Sequence, residues 1–112
     1  YGHSVKQNYQ KSRSFYTKAC SQRIGAACTA LGLQYVLSHG VQRNSQKARE
    51  FFEKGCSFKD SMGCSALGQL YYMGDGVRQN INQAKKFFGK ACDFGDQKAC
   101  DNYAKLNTGR LL

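Results

Sequence analysis

The six cysteines of this chain fall into three pairs, Cys20/Cys28, Cys56/Cys64 and Cys92/Cys100. Each pair has an internal spacing of eight, and each lies 36 positions beyond the last. Laid out at that period, Val5–Gly40, Val41–Gly76 and Val77–Leu112 align without a gap. Val5, Val41 and Val77 open the units, and Asn8, Asn44 and Asn80 follow three residues later. Then come Arg13/Arg49/Lys85, the aromatic pairs Phe15-Tyr16, Phe51-Phe52 and Phe87-Phe88, and Lys18/Lys54/Lys90. Leu31/Leu67/Tyr103 fall three after each second cysteine. A fixed period in the thirties marks stacked supersecondary units that bury their apolar faces on one another. The chain is read as one solenoid domain, residues 1–112, with repeats 5–40, 41–76 and 77–112. Residues 1–4 are the remnant of a preceding repeat, because Tyr1-Gly2-His3-Ser4 aligns with Met73-Gly74-Asp75-Gly76. On this reading the chain is a stretch of a longer array and lacks the helix before it.

Within a unit the apolar period is helical. Ala48, Phe51, Phe52, Gly55 and Cys56 fall at i, i+3, i+4, i+7 and i+8, one face of a helix. Asn44 stands where an N-cap side chain accepts an orphan amide, and Asn8 and Asn80 repeat the device. First helices are therefore expected over about 8–20, 44–57 and 80–93. A short polar stretch after each first cysteine reads as a turn. Second helices follow over about 26–38, 62–74 and 98–107. Gly32 and Gly68 sit inside them, where Gly costs about 1 kcal/mol against Ala. Closer helix contact is the expected offset, with Ala104 as the third copy. The fold class is all-α: αα-hairpins stacked as a solenoid of six helices.

Leu67-Gly68-x-Leu70-Tyr71-x-x-Gly74-x-Gly76-Val77, Asn80-x-x-x-Ala84 and Phe87-Phe88-x-Lys90-Ala91-Cys92 resemble Sel-like repeats, αα-hairpin units related to tetratricopeptide repeats. The added cysteine pair is similar to that of the Helicobacter cysteine-rich proteins. The resemblance covers essentially the whole chain. It implies a disulfide between consecutive helices of each repeat, hence Cys20–Cys28, Cys56–Cys64 and Cys92–Cys100. It also implies export to the periplasm or outside the cell, and penicillin binding or slow β-lactamase activity. The chain departs from the pattern at Ser12, where Ala48 and Ala84 stand, and in the lost Gly-x-Gly at its C-terminal end.

From the residues alone, six cysteines allow 15 pairings. Identical units should solve one problem identically, which favours local pairs. Each would close a loop of about nine residues, and disulfides belong to an oxidising compartment. Zinc and reactive thiols are the alternatives. Zinc sites prefer cysteines two to four apart with histidine nearby, and His3 and His39 stand in no such frame.

The residues hold no recognisable catalytic constellation. Ser-x-x-Lys is absent, and Asn107-Thr108-Gly109 matches a Lys-Thr-Gly edge only in its last two residues. No cofactor and no metal site is expected. Any β-lactam hydrolysis rests on the resemblance, so whether the chain is an enzyme stays open. No apolar run is long enough to insert in a membrane.

The formal charge is +10, and repeat 5–40 has five basic residues (Lys6, Lys11, Arg13, Lys18, Arg23) and no acid. That favours anionic partners, with nucleic acid the weaker alternative because no long basic tract occurs. Stacked hairpins usually bind through one set of helices. In the tetratricopeptide-like arrangement this set is the second one. It presents Thr29, Leu33 and Val36; Ser65, Gln69 and Tyr72; and Asp101 and Lys105. Such a groove suits a peptide or peptidoglycan-like fragment, or a host or envelope protein. The uncovered N-terminal face could also drive self-association.

Overall fold

Asparagine and aspartate side chains set where most of the helices begin. The computed structural model describes residues 2–112, with side chains from Asn8 onward. The readings placed on Tyr1 and on the side chains of His3, Val5 and Lys6 lie outside the described residues. The six helices are α1 (Gly2–Ser21), α2 (Gly25–Leu37), α3 (Ser45–Ser57), α4 (Ser61–Met73), α5 (Ile81–Asp93) and α6 (Gln97–Asn107), with no strand among the described residues. Asn44 accepts a hydrogen bond from the Lys47 amide and Asn80 one from the Gln83 amide, both at 3.0 Å. Asp60 and Asp96 cap α4 and α6 in the same way, from Gly63 and Ala99. At their register position before α2 stands Ile24, which has no such bond and is half exposed.

Asn8 does not cap a helix. It lies inside α1, which runs back to Gly2. The loops before α3 and α5 are tied to the preceding hairpin through Asn44 N–H to the Tyr35 carbonyl and Asn80 N–H to the Tyr71 carbonyl. No counterpart of that bond stops α1 at Asn8 among the described residues. The six expected segments otherwise agree with the helices to within a residue or two.

Each hairpin closes on a tight turn in which Ile24, Asp60 and Asp96 donate back to Ala19, Gly55 and Ala91. The sulfurs meet across these turns as Cys20–Cys28, Cys56–Cys64 and Cys92–Cys100, with Cα separations of 4.7, 4.5 and 4.6 Å. Successive hairpins are joined by loops that need glycine for two reasons at once. Gly40 and Gly76 have φ of 76° and 72°, and a Cβ on either would come within 2.6 Å of the Cβ of Tyr9 or Ser45.

Each helix packs on the next, and α2 also touches α4, which draws the molecule out to 48 × 25 × 21 Å. The core is a column through the stack. Phe52 and Phe88 are each 1 % exposed, with Leu31, Leu67, Ala48, Ala84 and the cysteines around them. Glycine makes room for the rings. A Cβ on Gly32 would lie 2.5 Å from Phe52, and one on Gly68 2.9 Å from Phe88. The other aromatic of each pair is only half buried. Phe51 stacks on Tyr35 at 5.8 Å and Phe87 on Tyr71 at 5.6 Å, with the amines of Lys54 and Lys90 over the outer faces of the rings. Their equivalent Phe15 is 68 % exposed.

Bulk is traded across the junctions between hairpins. Thr29 of α2 is buried against the crossing of α3 and α4, where both helices have glycine; a Cβ on Gly55 would run into its hydroxyl, and one on Gly63 would stop 2.7 Å from it. One repeat later the equivalent positions are the smaller Ser65 and the larger Ala91 and Ala99. Gly55→Ala is therefore expected to destabilise by about 1–3 kcal/mol, although alanine is the better helix former by about 1 kcal/mol. Thr29→Ala in the same chain removes that hydroxyl and recovers most of the loss. A double-mutant cycle of urea unfolding reads the coupling, and additive effects would refute it.

Candidate interaction surface

The second helices, α2, α4 and α6, carry the groove residues singled out in the sequence, and of these Ser65 and Gln69 line a cleft. Thr29 is the correction: it is 1 % exposed and belongs to the core, because its side chain points into the next hairpin. Leu33 and Val36 are half buried and pack on the core beside α4. Ser65 and exposed Gln69 line a shallow cleft between α4 and α6 with a volume of about 350 Å³. Its remaining wall is Ser61, Met62 and Ala66 from α4, and Asp96, Lys98 and Asn102 at the start of α6. Asp101 and Lys105 are exposed but outside this cleft, and the Asp101 carboxylate accepts from Gln97 on its own helix.

Sequence reasoning missed Lys98 and Asn102, which occupy the positions it gave to Asp101 and Lys105. The signal was present: Ser61 and Ser65, Met62 and Ala66, and Lys98 and Asn102 are each four apart, one helical turn. The result is an open cleft with two hydroxyls, two amides, one ammonium and one carboxylate over an apolar floor.

Tyr72 is the most informative position. Its ring is half buried, and its hydroxyl accepts a hydrogen bond of 3.1 Å from the backbone N–H of Leu112. The segment after α6, Arg110 to Leu112, has no secondary structure, and its last amide meets this face at Tyr72.

The loops form a separate polar cluster. Arg43 contacts Asp75 at 2.7 Å, Ser45 donates to the same carboxylate at 2.7 Å, and Arg43 also donates to Ser45. The Ser45 hydroxyl, then the Arg43 guanidinium, hold the Asp75 carboxyl below its ordinary value against a smaller opposing effect of burial. A depressed carboxylate adds stability at neutral pH that is lost as pH falls below the ordinary carboxylate range, through the folded value. Because Arg43 is half exposed, Asp75→Asn should cost no more than about 1 kcal/mol at pH 7. In thermal melts the difference from the parent should shrink as pH falls below the ordinary carboxylate range and through the lowered folded value. In the preceding loop the same two positions are His39 and Tyr9, stacked at 4.6 Å.

Among the described residues no group of three or more His, Cys, Asp or Glu could hold a metal ion, and no helix is long and apolar enough to cross a membrane.

The family model for the Sel1 repeat matches residues 1–23, 25–57 and 61–96. Its unit is a second helix followed by the next first helix, so it cuts the same stack half a repeat out of step with the cysteine pairs. No curated protein matches the chain in sequence. Among solved structures, a Sel1 repeat protein from Oxalobacter formigenes superposes with a TM-score of 0.78 at 23% identity, over 88% of this chain and 45% of that one. This chain thus spans less than half of that protein. Helicobacter pylori cysteine rich protein B superposes with a TM-score of 0.68 at 29% identity, over 90% of this chain and 98% of that one. A protective antigen of uropathogenic Escherichia coli with an SLR fold gives 0.77 at 26% identity, over 89% of this chain and 24% of that one.

Proposed function

This chain belongs to the Sel1 repeat family, and from that premise we propose that it is an exported, disulfide-stapled scaffold that binds extended peptide or cell-wall peptide on the face of α2, α4 and α6. Repeats of this family mediate protein interactions in general. The observation that supports the reading is the Leu112 N–H donated to the Tyr72 hydroxyl, a main-chain group of an irregular segment meeting that face. The neighbouring cleft adds side-chain donors and acceptors of both charges at a spacing of one helical turn. Extended ligands are bound through main-chain hydrogen bonds, with side chains supplying selectivity. Three disulfides in 112 residues support an oxidising compartment, and the cysteine-rich Helicobacter protein shares this architecture.

The test is a titration followed by amide NMR, using a muropeptide and an unstructured peptide copying Thr108–Leu112. Saturable shifts at Ser65, Gln69 and Tyr72 are expected. Tyr72→Phe should weaken binding about three- to tenfold, the worth of one hydrogen bond, and leave the melting temperature within about 2 °C. Shifts confined to other faces, or none at millimolar ligand, would reject the reading. Turnover of a chromogenic cephalosporin by the pure protein would favour the hydrolytic alternative that the resemblance implied.

A further inference from the structure

Where the first two hairpins meet, a cleft of about 350 Å³ opens between the first helices. One wall is the end of α1 and its turn, with Thr17 and Arg23. The other is α3 and its turn, with Phe51, Lys54 and Phe58. Buried Leu31 and Cys20 line it between them. Both walls are formed by neighbouring hairpins, so the cleft lies within the stack rather than at an end of it.

Its charge has one sign. Arg23 and Lys54 are both exposed, and neither makes an ion pair among the described residues. The Lys54 amine stands over the Phe51 ring at 5.4 Å. No acid occurs before Glu50. The nearest acids are engaged elsewhere: Glu50 and Glu53 contact Lys47 and Arg49, and Asp60 caps α4. At the next junction the register equivalent of Thr17 is Glu53, so a carboxylate stands where the first junction has a neutral hydroxyl. The first junction is therefore the more positive of the two although the backbones repeat.

The backbone at Arg23 adds an independent observation. Its φ is 65°, and that of its equivalent Lys59 is 67°, left-handed values that disfavour a side chain. The third equivalent is Gly95, at 104°, so the turn accepts glycine. A long cation at the mouth of the cleft is thus held against the preference of the turn, as happens where a side chain serves something other than the fold.

We infer that this cleft binds an acidic segment of a partner protein, with one bulky apolar side chain seated between α1 and α3 and a carboxylate on either side of it. The apolar group covers Leu31, Phe51 and Phe58, and the carboxylates meet Arg23 and Lys54 from opposite walls. A small monocarboxylate would answer only one of the two cations. A nucleic acid draws its affinity from a longer series of phosphate contacts, which the acids of α3 interrupt. The site shares no residue with the Tyr72 surface or the cleft beside it, and each can fail without the other.

The probe is a fluorescein-labelled unstructured peptide with one phenylalanine between two pairs of glutamates, titrated into the 112-residue chain and followed by anisotropy. Saturable binding that weakens as salt is added is expected. Arg23→Gly should weaken it about three- to tenfold and leave the melting temperature unchanged or higher, because it relieves a left-handed side chain; an arginine that served only the fold would lower the melting temperature and leave binding alone. Thr17→Glu, which installs the acid of the next junction at an exposed position, should weaken binding at least about tenfold. Lys86→Gln, a similar loss of charge on α5, should have no effect. Phenylalanine to alanine in the peptide should weaken binding at least about tenfold. Absence of binding, or indifference to Arg23→Gly and Thr17→Glu, overturns the proposal. So does equal binding of the alanine peptide, which would reduce the cleft to a patch of charge. Single-stranded oligothymidylate competing through the same residues would make nucleic acid the ligand and overturn it too. Self-association abolished by Arg23→Gly would do the same, with Asp93-Phe94 of a second copy as the occupant.

Discussion

Phe52→Ala is expected to lower the free energy of unfolding by about 3–5 kcal/mol. The ring is 1 % exposed and fills the space left by Gly32 on the neighbouring hairpin. Truncation therefore leaves a cavity at the junction of two repeats rather than within one. The Gly32 backbone cannot collapse into it without moving all of α2, so little of the loss is recovered. A domain of this size has about 5–15 kcal/mol in total. The variant should unfold at clearly lower urea with broadened cooperativity, since stability in a repeat stack depends on the interfaces between neighbours. Hydrogen exchange should show amides of α2 and α3 opening first. A loss below about 1.5 kcal/mol would mean that the ring is not the keystone of that interface.

Replacing Cys56 and Cys64 together by serine is expected to cost about 2.5 kcal/mol in the chain-entropy model for a loop of about nine residues. Both positions are buried, at 5 % and 0 %, so two hydroxyls in an apolar setting add to the loss. The central bond should matter more than Cys92–Cys100, because Cys92 and Cys100 are only partly buried. Guanidinium unfolding of the two double variants, with the other bonds kept oxidised, checks the ranking. Equal losses would show that loop closure alone counts and burial does not.

The stack was legible because its determinants are local and repeat: cysteines at one spacing, Asn44 and Asn80 at helix starts, Gly68 opposite an aromatic. Each constrains a neighbour at a fixed offset, so three copies report the same geometry. The binding face was less legible. Thr29 and Ser65 are equivalent in sequence, yet one is core and the other lines a cleft. What separates them is the size of residues 26 and 34 positions further on, glycine in one case and alanine in the other. A single helix pattern has no access to that pairing. Asn8 likewise has the right chemistry for a cap, but a cap forms only where another contact has already turned the chain.

The junctions described above differ in chemistry although their backbones repeat. One loop contact is a stack of Tyr9 on His39, and the next is a carboxylate clasped by Ser45 and Arg43. The third pair of equivalent positions is Ile81 and Leu111, both exposed aliphatics. The hairpins are thus not interchangeable parts. Transposing two of them by gene shuffling would set Asp75 against an aromatic ring and Thr29 against alanines, so linear order is written into the joints themselves. A lineage that grows or shrinks by recombination must then rewrite both sides of every new seam before the enlarged protein is as sound as its parent.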